Sequence, residues 1–228
     1  MTQADLNEAL EHYRDLAPRY DRRTRFIDAI RDRTIAAMGL QPGQTVLDAG
    51  CGTGWCIPRL ARLVGPSGRV MAFDPSPEML AVASGRGTQD SAPPIDLLLA
   101  TAEDIVLPHP ADAILFSYTH DLIRSRTALG NLLRQARPGA RIAATGTKLY
   151  ASWLTPMNWY LRVTHRGYIT NFEGFEAPWS VLAEYLDDFR VQTGPFTQHY
   201  VATGRVRPEF TQFRPEFTHL LPEITQAA

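Results

Sequence analysis

The sequence predicts an α/β fold, a doubly wound and mostly parallel sheet of seven strands flanked by helices. Three observations predict it. Apolar runs at 45–49, 70–73, 96–100, 111–118 and 140–147 alternate with helical stretches at 57–64, 76–84 and 124–136, which implies β-α-β units joined by right-handed crossovers. The first run continues through Asp48 into a bend containing Gly50, Gly52 and Gly54, which opens into the first of those helices. A short helix over 181–186 and two closing strands, around 189–193 and 198–205, complete the set.

Each remaining segment carries its own signal. Leu6, Leu10, Tyr13 and Leu16 recur at helical intervals with charges between them, the pattern of an amphipathic helix that Pro18 would end. Residues 24–38 form a second helix, stopped by Gly39 and Pro42-Gly43. Gly, Ser and Pro make 85–94 a loop, and Leu107-Pro108-His109-Pro110 is a rigid turn before the fourth strand. After Lys148 the character changes. Residues 149–179 hold Trp153, Trp159, Trp179 and five Tyr or Phe residues, interrupted by Pro156 and Pro178, and read as an inserted cap. The domain then spans 1–206, with 1–40 as N-terminal helices. Residues 207–228 repeat a Pro-Glu-Phe-Thr theme from Arg207, Arg214 and Leu221; proline in every unit forbids a coiled coil, so an extended, partner-binding tail is expected.

At 228 residues the chain is long enough for one domain with an elaboration. A net charge of −1 argues against a general nucleic-acid binder, which would carry a basic face. No apolar run approaches the roughly 18 residues of a membrane-spanning helix, and residues 1–20 are too charged for a secretory signal. A cytoplasmic location is therefore expected. The two cysteines, Cys51 and Cys56, lie in or beside the glycine bend without the partners of a zinc site. No metal is implied.

The bend indicates the ligand. Dinucleotide sites space their glycines G-x-G-x-x-G so that main-chain N–H groups meet a pyrophosphate. Here the spacing is G-x-G-x-G, and Asp48 stands two residues before the first glycine. A carboxylate there repels a pyrophosphate and suits an ammonium or sulfonium. No lysine follows Gly54 to make a phosphate-cradling loop. Asp74, twenty residues beyond Gly54 at the end of the second strand, is positioned to take the two hydroxyls of a ribose. Together these features favour S-adenosylmethionine over NAD, FAD or ATP.

Several motifs in order resemble the class I S-adenosylmethionine-dependent methyltransferases, a Rossmann-like family, over roughly residues 13–147. They are the 46–54 bend, the strand 70–74 with its Pro75-Ser76-Pro77-Glu78-Met79-Leu80 turn, the loop Thr101-Ala102-Glu103-Asp104, the strand 111–118 and the turn Arg137-Pro138-Gly139-Ala140-Arg141. The resemblance implies that Asp48, Ala49, Gly50, Cys51, Gly52 and Gly54 surround the methionine end. Asp74 would hold the ribose, Pro75 and Met79 would lie near the adenine, and Thr101, Ala102 and Glu103 would bracket the base. Ser117 would lie below the sulfonium. Tyr13 to Asp21 resembles the N-terminal lid of small-molecule and lipid methyltransferases, with Tyr20 closing over the methionine moiety; an amphipathic surface helix broken at Pro18 is the other reading.

In an open parallel sheet the reacting atoms belong at the carboxyl ends of the strands, where strand order reverses. The fourth strand ends Phe116-Ser117-Tyr118-Thr119-His120-Asp121. His120 is the candidate general base, with Tyr118 or Asp121 as hydrogen-bonding partners; alternatively His120 packs at a strand end and Asp121 caps the next helix. The N-P-P-Y-like run of base methyltransferases and the paired glutamates of arginine methyltransferases are missing. In the cap, Lys148, His165 and Arg166 stand among Trp153 and Trp159, a set that could hold a lipid head group or a ring-bearing acceptor, with peripheral membrane contact; packing of the tryptophans on the sheet is the bland alternative. The expected activity is methyl transfer to an N or O atom of a small molecule or lipid head group, in the manner of phospholipid N-methyltransferases. Its rivals are a natural-product O-methyltransferase using His120, and a protein that binds the cofactor without methylating.

Overall fold

A computed structural model of the chain describes residues 17–86, 92–164, 172, 174–194 and 196–211. The strands are β1 (Thr45–Ala49), β2 (Arg69–Asp74), β3 (Ile95–Leu99), β4 (Ala111–Ser117), β5 (Ala136–Thr147), β6 (Leu186–Gln192) and β7 (His199–Val206). The helices are α1 (Tyr20–Thr24), α2 (Asp28–Ala37), α3 (Ile57–Val64), α4 (Pro77–Ala83), α5 (His120–Arg124), α6 (Arg126–Arg134), α7 (Thr155–Thr164) and α8 (Ser180–Ala183). No helix among the described residues is long and apolar enough to cross a membrane.

The seven strands form one sheet in the order β3-β2-β1-β4-β5-β7-β6. Every pairing is parallel except those of β7, which runs antiparallel between β5 and β6. The order reverses between β1 and β4. Both faces of the sheet are covered, which is why the central strands read as unbroken apolar runs. Val46 packs with Ile35, Met38, Leu60 and Val64 under α2 and α3, while Leu47 packs with Phe116, Leu129 and Leu133 under α6. Strand alternation therefore turns Asp48 toward the face that α2 and α3 cover.

Local signals set the helix ends. In α3, Ile57, Leu60, Ala61 and Val64 are buried at helical spacing and Gly65, at φ +65°, ends the helix. In α4 the Ser76 hydroxyl caps the Met79 N–H, and in α6 the Ser125 hydroxyl caps the Ala128 N–H. The helical stretch expected at 124–136 is divided because Ser125 adopts an extended backbone between α5 and α6. The turn expected at 137–141 is a bulge within β5: Ala111 pairs with Ala136, and pairing resumes at Ala113 with Arg141.

The cap has a small core of its own. Leu149, Leu161 and Phe175 are buried together, and the Leu149 N–H donates to the Phe175 carbonyl at 2.7 Å. The first Pro-Glu-Phe unit does not simply extend outward. Pro208–Phe210 forms a 3-10 turn, and the Phe210 ring meets Tyr185 edge-on at 4.8 Å. The other two repeat units, the helix expected over 4–16, and Tyr13, His165 and Arg166 lie outside the described residues.

Candidate cofactor and acceptor site

The site is assembled at the carboxyl ends of β1, β2 and β4. Gly50, Gly52 and Gly54 have φ of +69°, +54° and +72°, values that disfavour any residue with a Cβ. The Cys51 N–H donates to the Phe73 carbonyl at 2.8 Å, tying the bend to β2. A Cβ on Gly54 would lie 2.9 Å from the Ala83 Cβ, whereas one on Gly52 would meet nothing within 4 Å. The last glycine thus serves helix packing, and the middle one leaves an open approach to the main chain.

Two acids frame this bend. The Asp74 carboxylate accepts the Gly52 N–H through Oδ2 and the Ser76 N–H through Oδ1, each at 2.9 Å. Each oxygen keeps a lone pair for a ribose hydroxyl. Burial pushes Asp74 above the ordinary carboxylate range, while these two amides pull it down. Asp48 is fully buried, and its Oδ2 has no hydrogen-bond partner. Burial raises its pKa to about 7, with the Arg31 charge lowering it and the Asp74 charge raising it. A buried carboxylate oxygen without a hydrogen-bond partner, beside an open glycine bend, fits the cationic methionine end of S-adenosylmethionine.

Segments before β1 close over the bend. Asp21, the residue after Tyr20, accepts a 2.5 Å hydrogen bond from the Thr53 hydroxyl and pairs with the Arg86 guanidinium. Arg86 also donates to the Thr53 carbonyl at 2.7 Å. Arg31 of α2 is buried, with its guanidinium carbon 5.2 Å from the Trp55 ring and 5.7 Å from the Tyr118 ring. Tyr20 lies near enough to Tyr118 for the two phenols to influence each other. On the opposite side, Asn131 of α6 donates from Nδ2 to the carbonyls of Ala102 and Ile105, both at 3.0 Å, and so fixes the 101–105 loop. Thr101 closes that loop onto Asp104. Ala102 and Met79 are buried, while Glu103 and Pro75 are partly exposed.

At the end of β4, Ser117 sits beside the Cys56 thiol, and Cys51 and Cys56 are both free thiols. Tyr118 takes a left-handed backbone, φ +62°. His120 opens α5 and stacks on Phe175 with ring centroids 5.2 Å apart. Its Nε2 accepts the Thr147 N–H at 2.7 Å, so the lone pair that a base at Nε2 would use is occupied. Asp121 is in the first turn of α5; the cap position belongs to Thr119. The Tyr118 hydroxyl is 3.0 Å from Nδ1 of His199, the first residue of β7. Three of the expected acceptor-binding residues lie among the described ones. Lys148 is buried and donates from Nζ to the Leu149 carbonyl at 2.9 Å, whereas Trp153 and Trp159 are 65% and 67% exposed.

Arg31, Thr53, Arg86, Asn131 and His199 are the residues that sequence reasoning missed. Asn131 had a usable signal, a lone amide on the buried side of an amphipathic helix. Thr53 lies within the glycine bend itself, while Arg31, Arg86 and His199 meet the site only through contacts between distant parts of the chain.

A Rossmann-like sheet with this order, an acid-flanked glycine bend and a second acid on β2 have the form of a nucleoside-cofactor-binding α/β domain. Comparison with known proteins agrees. Residues 46–139 match the family model described as a methyltransferase domain. The chain is 29% identical over 159 residues to demethylmenaquinone methyltransferase of Lactococcus lactis, covering 64% of this chain and 61% of that protein. It is 39% identical over 106 residues to 2-phytyl-1,4-naphtoquinone methyltransferase of Synechococcus elongatus, covering 45% and 46%. The matches thus span about half to three fifths of these relatives' own lengths. Among solved structures, the fold resembles the N-methyltransferase NodS of Bradyrhizobium japonicum, with a TM-score of 0.55 and 17% identity over 79% of this chain and 97% of that one. Residues 46–139 thus match a methyltransferase domain, and the acid-flanked glycine bend fits S-adenosylmethionine.

Proposed function

We propose that the protein methylates a small acceptor whose aromatic or quinone-type ring carries an ionisable hydroxyl. One observation carries the reading: beside Ser117, the rings of Tyr118, His120, His199 and Phe175 meet at the carboxyl ends of β4 and β5, with the Tyr118 phenol hydrogen-bonded to an imidazole. Such a wall suits a flat ring and can take up a proton. The names of the curated relatives support a quinone-type ring, and that of a ubiquinone/menaquinone biosynthesis C-methyltransferase of Ectopseudomonas mendocina, 31% identical over 112 residues, supports methylation on carbon. The Tyr118–His199 hydrogen bond equally favours methylation on the oxygen of the same hydroxyl. An amine or lipid head group has less support, because the Lys148 ammonium is turned inward onto a carbonyl.

The bound cofactor supplies a methyl group already activated by a sulfonium charge. The chain's own residues supply position and exclusion of water. Asp48 offers a buried carboxylate to the cationic end, Asp74 grips the ribose, and Asn131 holds the 101–105 backbone beside the base. Tyr20, Asp21 and Arg31 close the N-terminal side.

The test is incubation of the full chain with labelled S-adenosylmethionine and four acceptor sets: demethylated quinols, phenols, amines and phosphatidylethanolamine vesicles. Mass spectrometry should find methylated product and S-adenosylhomocysteine with the hydroxylated rings. Product from amines or vesicles alone would replace the reading. Cofactor binding with no by-product in any set would favour a non-methylating role.

A further inference from the structure

We propose that Tyr118 and His199 form the proton-accepting pair of the site, receiving the proton of an acceptor's ring hydroxyl. This rests on the ring-hydroxyl acceptor proposed above and extends it to residues of two distant strands.

The backbone gives the first reason. Tyr118 is held at φ +62°, in the left-handed region that disfavours a residue with a side chain. Its N–H donates to the Thr145 carbonyl at 2.9 Å, so the conformation is fixed rather than transient. Strain of this kind, at the carboxyl end of β4, marks a side chain whose direction matters.

The second reason is that the two neighbouring imidazoles have different partners. His120 and His199 both meet the Tyr118 ring edge-on, at centroid distances of 6.0 Å. They converge through β5, since Thr147 pairs with His199 across the sheet and also donates its N–H to His120 Nε2. That bond requires His120 to carry its proton on Nδ1. His199 instead points Nδ1 at the Tyr118 oxygen, at 3.0 Å, while its Nε2 lies 3.4 Å from the Gln198 amide nitrogen, a contact too long to fix the proton. In the proposed pair the His199 proton is on Nε2, which leaves a lone pair on Nδ1 for the phenol. Burial holds the Tyr118 phenol protonated, opposed by the charge of Arg31 on α2, and Tyr20 on α1 also faces it. In that tautomer the phenol donates to His199.

The proton balance follows. The acceptor's O–H bond breaks and leaves its electron pair on the acceptor oxygen, where it makes that oxygen or the conjugated ring carbon nucleophilic. The proton goes to the Tyr118 oxygen as the Tyr118 O–H proton passes to His199 Nδ1. His199 then carries protons on both nitrogens and returns one to solvent. On the carbon route the ring carbon's C–H bond then breaks, its electron pair restoring the ring and its proton replacing the one lost from the hydroxyl, so that one proton leaves for each methyl group accepted. Tyr118 touches the acceptor in this scheme, and His199 is a positioning residue that acts through it.

The test has two independent arms. Long-range proton–nitrogen NMR on the ligand-free chain reads each tautomer without any acceptor; His199 should carry its proton on Nε2 and His120 on Nδ1. A proton on His199 Nδ1 overturns the proposal whatever the protein methylates. In the second arm, Tyr118→Phe and His199→Ala should lower kcat on a hydroxylated-ring acceptor by about a hundredfold or more, with KM and S-adenosylhomocysteine affinity little changed. Added imidazole should restore part of the His199→Ala rate. Wild-type kcat in either variant overturns the proposal, and so does turnover confined to acceptors without an ionisable hydroxyl, which removes the ring-hydroxyl reading as well. If His199→Ala fails to fold by circular dichroism, Tyr118→Phe and the NMR arm decide.

Discussion

Replacing Gly54 with alanine adds one methyl group to a backbone at φ +72° and aims it at the Ala83 Cβ and Ile57 Cδ1, both 2.9 Å away, and at the Ala83 Cα, 3.1 Å away. The left-handed backbone alone costs about 1–2 kcal/mol, and forcing α3 and α4 apart adds roughly 1–3 kcal/mol. Gly52→Ala carries the same backbone penalty at φ +54° but meets nothing within 4 Å. Two identical chemical changes, two residues apart, therefore separate packing from ligand approach. Urea denaturation should show Gly54→Ala roughly 2–5 kcal/mol below the parent chain and Gly52→Ala only about 1–2 kcal/mol below it. Calorimetric titration with S-adenosylhomocysteine should reverse the order among variants that remain folded, because the Gly52 methyl stands in the open face of the bend. Equal losses of stability, with Gly52→Ala binding as tightly as the parent chain, would refute the reasoning.

Three further outcomes are expected. Asp48 is raised by burial from 3.8 to about 7, so the folded chain holds a proton that the unfolded chain releases. Ligand-free stability should then fall as pH rises from about 4 to 7, by up to an order of 4 kcal/mol, and Asp48→Asn should flatten that slope in urea melts. Asp21→Ala breaks the contacts to Thr53 and Arg86; for a partly exposed pair the stability change should be about 0–1 kcal/mol, while stopped-flow release of the cofactor speeds up. Asn131→Ala leaves the Ala102 carbonyl without its amide donor and the Ile105 carbonyl with that of Gln135 alone, and should cost about 1–3 kcal/mol by thermal melting, together with weaker cofactor binding.

The central sheet was legible because its strands are buried on both faces, so each reads as an apolar run between punctuating residues. The glycine bend and Asp74 were legible because a ligand-facing backbone leaves few residue choices. The edges were harder. β6 begins at Leu186, three residues before the expected strand, because Asp187 and Asp188 sit where the register shifts and Asp188 has φ +52°. Lys148 reads as an exposed cation after an apolar strand, yet it is buried because a neighbouring carbonyl takes its ammonium. Arg31 reads as part of the polar face of α2; only the arrival of Trp55 and Tyr118 from later in the chain encloses it. His199 was invisible for a related reason, since its partner lies 81 residues earlier and only antiparallel pairing joins them.

The matched methyltransferase segment starts at Val46, but the guanidinium that offsets the Asp48 charge and the carboxylate that fastens Thr53 come from residues 31 and 21. Chimeras that exchange only the 46–139 stretch between relatives would therefore import an interior acid stripped of its counter-ion. Borders drawn ahead of Ala17 keep charge and counter-charge together, and natural variation at position 31 should track variation at position 48.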